Sequence, residues 1–188
     1  MNIHPQTINI FELLSKGRFL CSNSCDDEQR RLYNIIEEDF ETFEAYFEPL
    51  GYTLERGEEY FYFSRKEAKA DLEKKIEQAY KWIDIVDFFK AYNSSFGVGS
   101  RLTPSEVMTQ VKVDANLRDK LDQLKKSLAE GSAKEKIQRL IDEMVKHGFM
   151  QLESDLMEQY KVLSAYAYIE SLILSIHITE EPDDEISK

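Results

Sequence analysis

SAKEKIQRLIDEMVKHGFMQLES, residues 132–154, decides how the rest of this chain is read. Ser132 followed three residues on by Glu135 is a capping box, in which each side chain accepts from the other residue's backbone N–H at a helix start. Ile137, Leu140, Ile141, Met144 and Val145 then fall at i, i+3, i+4, i+7 and i+8, a single helix face, and Gly148 stands where such a helix stops. FMQLES alternates as a strand, DLMEQ is a turn and YKVLS a return strand, so the helix feeds a hairpin directly. This is the shape of a recognition helix and wing. It sits in a chain whose formal net charge is -12.

Working outward, TPSE (103–106) is a second capping box with Pro at the first helical position, opening a helix with Val107, Met108 and Val111. A further helix, 114–129, carries Leu117, Leu121, Leu124 and Leu128. Upstream, Leu72, Ile76, Ala79, Tyr80, Ile83, Val86, Phe88 and Phe89 give a wide apolar face on a helix from Glu67 to about Tyr92, and NSSFGVGSR interrupts it. Downstream, Ser164 can cap a last helix, 165 to about 177. TEEPDDEISK has no apolar period and is expected to be a disordered tail.

The first half has the same order. INIFELLSK (8–16) is helical and ends at Gly17, RFLCS is a short strand, and in SNSCDD Ser24 or Cys25 to Asp27 supplies capping oxygens and acidic first-turn residues for a helix start. Leu32, Ile35, Ile36, Phe40, Phe43 and Phe47 recur every three or four residues, which reads as one long helix to about Leu50. YTLERGEEYFYFS then makes a hairpin around Arg56-Gly57-Glu58. The expected fold is mainly α with short β-hairpins (α+β), built as tandem winged-helix domains. The units are 1–65 and 66–178, the second with an extra helix, followed by an acidic tail, 179–188.

Lys and Arg number 24 against 36 Asp and Glu, and the excess lies at the ends: 5 against 13 over residues 1–64 and 2 against 9 over 148–188. Such a chain repels a polyphosphate at long range, because non-specific affinity comes from cations displacing counterions. DNA contact must then be local or assisted by a partner. No basic-then-apolar signal opens the sequence and no apolar run reaches membrane length, so a cytoplasmic protein is expected. The two cysteines, Cys21 and Cys25, are read as free thiols, because three scattered histidines cannot complete a four-ligand zinc site with them.

Nothing assembles an active site. GVG (97–99) fits neither phosphate-binding glycine pattern, the acids of EEDFE fan out around a helix, and no Ser or Cys has a paired base. No enzyme and no cofactor is expected. Candidate contacts to the DNA backbone are Lys134, Lys136, Arg139 and Lys146, with Lys125 and Lys126 nearby in sequence. Beyond Gln138 no Asn, Gln or Arg cluster on the helix gives a base-reading code. Phe40, Phe43, Phe47, Tyr60, Tyr62 and Trp82 are candidates for dimer or partner contact. For the run YFYF (60–63), wing or interface packing competes with base stacking.

Residues 15–65, SKGRFLCSNSCDDEQRRLYNIIEEDFETFEAYFEPLGYTLERGEEYFYFSR, resemble the N-terminal part of the MukE/MksE proteins in order and spacing. HGFMQL and YKVLSAYAYIE resemble the same family's second winged helix and closing helix. The resemblance implies a non-catalytic homodimer that binds a kleisin subunit (MukF/MksF-like) and through it an SMC ATPase (MukB/MksB-like). It also implies sequence-independent contact with DNA inside that nucleoid-associated complex, in chromosome condensation and segregation or in plasmid defence. A free-standing winged-helix transcription regulator is the competing expectation.

Overall fold

The structure, a computed structural model, describes the backbone of residues 4–65, 69–124 and 131–179. The first half contains α1 (Thr7–Leu14), β1 (Leu20–Cys21), α2 (Asp27–Glu38), α3 (Phe40–Phe47) and a 3-10 turn (Glu48–Leu50) before the hairpin β2 (Thr53–Gly57) and β3 (Tyr60–Ser64). The second runs α4 (Lys69–Tyr92), β4 (Arg101–Leu102), α5 (Pro104–Val113), α6 (Ala115–Gln123), α7 (Ala133–Lys146), β5 (Met150–Ser154), β6 (Gln159–Val162) and α8 (Tyr166–Thr179). Each half has one small antiparallel sheet, and the two have the same topology: β1-β3-β2 and β4-β6-β5. The chain is therefore a mixed α+β protein in which a helix, a short strand, further helices and a hairpin occur twice.

Local chemistry accounts for several helix starts. Thr103 and Glu106 close a capping box on α5, and Ser132 and Glu135 close another on α7. Asp26 accepts from the N–H groups of Glu28 and Gln29 at the start of α2. The expected single helix to Leu50 is instead broken at Asp39, whose backbone (φ -141°, ψ 46°) leaves the helical region. The apolar stripe is continuous, so tertiary packing makes the break: α2 lies along β1, and α3 turns back over β2. The helix expected over 114–129 stops at Gln123, where Leu124 is extended (ψ 145°); residues 125–130 and 180–188, with the expected tail, lie outside the described residues.

The YFYF run shows how the sheet organises the molecule. Side chains on a strand alternate between faces, so Phe61 and Phe63 join a first core with Ile10, Leu32, Ile36, Phe43 and Phe47. Tyr60 and Tyr62 point the other way, and Tyr60 belongs with Cys21, Trp82, Ile141, Phe149 and Tyr166 to the larger second core. Both cysteines are free, and burial pushes the Cys21 thiol up from its ordinary value.

Tyr166 is fully buried, edge-on to Phe96 with ring centroids 5.5 Å apart, and its hydroxyl has no hydrogen-bond partner among the described residues. A buried hydroxyl without a partner costs desolvation and returns nothing. Tyr166→Phe is thus expected to leave stability unchanged or raise it by up to about 1 kcal/mol in urea unfolding. A loss larger than that would mean that the hydroxyl is used.

Candidate partner and nucleic-acid interface

α7 is fixed by its inner face, where Ile137, Leu140, Ile141 and Met144 are buried. Its outer charges are mostly committed within the chain. Lys136 Nζ lies 2.7 Å from Asp122 on α6 with a side chain only 12 % exposed. Glu143 accepts from Lys81 of α4 at 2.7 Å, and Gln138 donates to Asp142 at 2.9 Å. Arg139 is half-buried and interacts with Glu135. Lys134 and Lys146 are the exposed cations of the helix. Lys125 and Lys126 lie outside the described residues.

The hairpin tips are acidic. Glu58 and Glu59 form the first, with Glu59 in the left-handed region at φ 62°. Asp155, Leu156, Met157 and Glu158 form the second, with Leu156 96 % and Met157 62 % exposed. Neither tip carries Lys or Arg, so neither has the charge with which side chains enter a DNA groove. Among the described residues there is no metal-ligating cluster and no helix long and apolar enough to cross a membrane.

Among the aromatic candidates, Phe43, Phe47, Tyr60 and Trp82 are buried inside the chain itself. Phe40 and Tyr62 are half-buried. Phe40 lies beneath the Arg56 guanidinium, 4.4 Å from its ring centroid. Tyr62 stands 5.1 Å from Tyr168 and 5.6 Å from Phe19. Phe19 also meets Tyr60, Phe149 and Tyr168 within 5.8 Å, which makes it the aromatic centre between the halves.

Sequence reasoning missed the polar half of this junction. Asn23 donates to the Val162 carbonyl (3.4 Å), and its Oδ1 accepts from Ser164 N–H (2.9 Å). Ser164, expected to cap α8, donates its hydroxyl to the Glu59 carbonyl at 2.7 Å. Gln151 Oε1 accepts from Cys25 N–H (2.7 Å) and Ser24 Oγ (2.9 Å), and its amide donates to Gln29 (3.2 Å). The second hairpin is thereby tied to the loop before α2, and no local pattern in the sequence marks these residues.

His147 caps the end of α7 edge-on to Trp82, ring centroids 5.1 Å apart. Burial holds its pKa below the ordinary value, Lys81 and Lys146 act the same way, and Glu143 opposes them. A histidine depressed in the folded state contributes stability that is complete above its unfolded value, about 6.5, and is lost as pH falls. Unfolding free energy should therefore fall between pH 7 and 5, and less so in His147→Phe, as read from urea midpoints. Glu143 also titrates below its ordinary value, held there by Lys81 against burial, so its loss falls below about pH 4.5.

No curated protein matches the chain. Residues 5–173 match the family model described as condensin complex protein MksE, nearly the whole length and both halves of the repeat. The chain belongs to the MksE family, a non-catalytic accessory subunit of condensin complexes.

Proposed function

We propose that the chain is a tandem winged-helix subunit that binds the kleisin of a condensin-like SMC complex, as a homodimer on the nucleoid, and touches DNA only within that assembly. The observation that carries this reading is the state of the two places where a winged helix ordinarily meets DNA. The helix before the second hairpin has its charges largely paired to its own protein, and both hairpin tips are acidic. A duplex needs several cations at once for appreciable affinity. Lys134 and Lys146, with Arg139 at their margin, suffice only for DNA already held by others. Phe40 and Tyr62 are the aromatic candidates left for partner contact. Chromosome condensation and segregation, or plasmid defence, are the settings this activity fits.

Co-purification tests it. The tagged protein from native extract should bring down a kleisin and a large coiled-coil ATPase, and recovery of neither would sink the reading. Lys134→Glu with Lys146→Glu should weaken DNA retention by the assembled complex severalfold and leave kleisin capture intact. Enrichment of one DNA motif at nanomolar affinity and physiological salt by the isolated chain would point to a free-standing regulator instead.

A further inference from the structure

Where the two halves meet, an open cleft of about 480 Å³ runs between residues 14–19, the end of β3, and the facing surfaces of α4 and α8. Phe19, Tyr62, Phe63, Trp82 and Tyr168 wall it. Among the described residues its charged lining is Lys16, Arg18 and Arg65, all exposed, with no carboxylate, in a chain with 36 acidic and 24 basic residues. Arg65 sits 4.0 Å from the Tyr52 ring centroid at the same rim.

The cleft also offers main chain. β2 pairs with all five residues of β3, but β1 pairs only with Tyr60 and Phe61. Along Tyr62, Phe63 and Ser64, β3 has a ladder neighbour on one side only among the described residues, and residues 15–19 form the opposite wall of the cleft rather than a continued strand. An extended segment laid there can add to the sheet while alternate side chains enter the walls.

We propose that this cleft seats an extended acidic segment of a partner polypeptide. One aromatic or aliphatic side chain of the segment enters among Phe19, Trp82 and Tyr168, and its carboxylates meet Lys16, Arg18 and Arg65. The proposal rests on the partner-binding reading above and names the place and the chemistry. Double-stranded DNA, with one charge per ~1.7 Å of axis, is a poor occupant. Three cations cannot neutralise such a run, and Glu12, Asp26 and Glu28 line the hollow on the far side of Lys16 and Arg18. A short acidic peptide needs only those three.

Trp82 is the chain's one tryptophan and lines the cleft, so its emission reports occupancy there. The probe is a short synthetic peptide rich in Asp and Glu with one central Phe, titrated into the full chain. A saturable emission change is expected. Arg18→Glu with Arg65→Glu should weaken binding by about tenfold or more, equivalent to ~1.4 kcal/mol, and a Lys-for-acid version of the peptide should not bind. Both positions are exposed, and an unchanged unfolding midpoint confirms that the variant folds. Arg18→Gln with Arg65→Gln should give an intermediate loss.

Absence of binding, or equal affinity in the charge-reversed chain, overturns the proposal, as does displacement of the peptide by a DNA duplex at lower concentration. A tenfold affinity gain on removing residues 180–188 would also overturn it, by assigning the cleft to the chain's own acidic end. Kleisin capture separates this proposal from the function above. Capture retained in the charge-reversed chain removes the cleft and leaves the function. Peptide binding without any kleisin capture does the reverse.

Discussion

Asn23→Ala should lower the unfolding free energy by roughly 2–3 kcal/mol, far more than an ordinary loop substitution. Asn23 lies in the loop between β1 and α2, and its side chain serves three groups at the start of α8 and the end of β6. The amide donates to the Val162 carbonyl, while Oδ1 accepts from Ser164 N–H at 2.9 Å and lies 3.2 Å from Ser164 Oγ. Ser164 is 1 % exposed. Alanine leaves its N–H facing a hole, and a buried donor without an acceptor loses the full desolvation cost rather than the smaller net worth of one hydrogen bond. Asn23→Asp keeps the acceptor for Ser164 but sets a carboxylate oxygen where the amide donated to the Val162 carbonyl, so it should recover only part of the loss. Urea unfolding followed by far-ultraviolet circular dichroism measures both. A loss below about 0.5 kcal/mol for the alanine variant, the size of a neutral surface change, would mean that the aromatic contacts around Phe19 hold the halves together unaided.

The contrast between Asn23 and α7 shows which features the sequence carried. Periodicity and capping chemistry are local, so α5, α7 and both hairpins could be placed from residue spacing alone. The break at Asp39 could not. Leu32, Ile36, Phe40, Phe43 and Phe47 keep helical spacing straight through it, and no Pro or Gly marks the site, because the bend is imposed by what α2 and α3 pack against. The long-range bond of Ser164 was hidden for a related reason. A serine before a helix is a good cap candidate, but nothing local shows that its hydroxyl donates to the Glu59 carbonyl, 105 residues away in sequence. The YFYF run held more information than a count of aromatics reveals, since its Tyr and Phe alternate with the strand's two faces. For the candidate surfaces, sequence located the cations of α7 but not their partners. Lys136 lies on the outward side of the helix and is nonetheless paired to Asp122 from another helix.

Gly57 illustrates the same limit in a residue whose role the turn chemistry seemed to explain. The sequence places it inside a turn, where glycine usually supplies a left-handed backbone. In the structure Glu58 and Glu59 make the turn, Glu59 takes the positive φ, and Gly57 ends β2 opposite Tyr60. What Gly57 supplies is space. A Cβ there would stand 2.0 Å from Tyr60 Cζ and 2.3 Å from Cε1. Tyr60 is 6 % exposed, packed into the second core and 5.8 Å from the Phe19 ring, so its ring cannot swing away without leaving that core. Gly57→Ala is therefore expected to cost about 3 kcal/mol, the upper end of the usual overpacking range. The cause can be separated from any general effect on the strand by a double-mutant cycle. Tyr60→Ala carries its own cost, but in that background Gly57→Ala should add almost nothing, a coupling of about 2 kcal/mol or more between neighbours in contact. If the two losses instead simply add, the ring is not what excludes a side chain at 57. The packing that places Tyr60 between the halves would then have to be explained by other contacts.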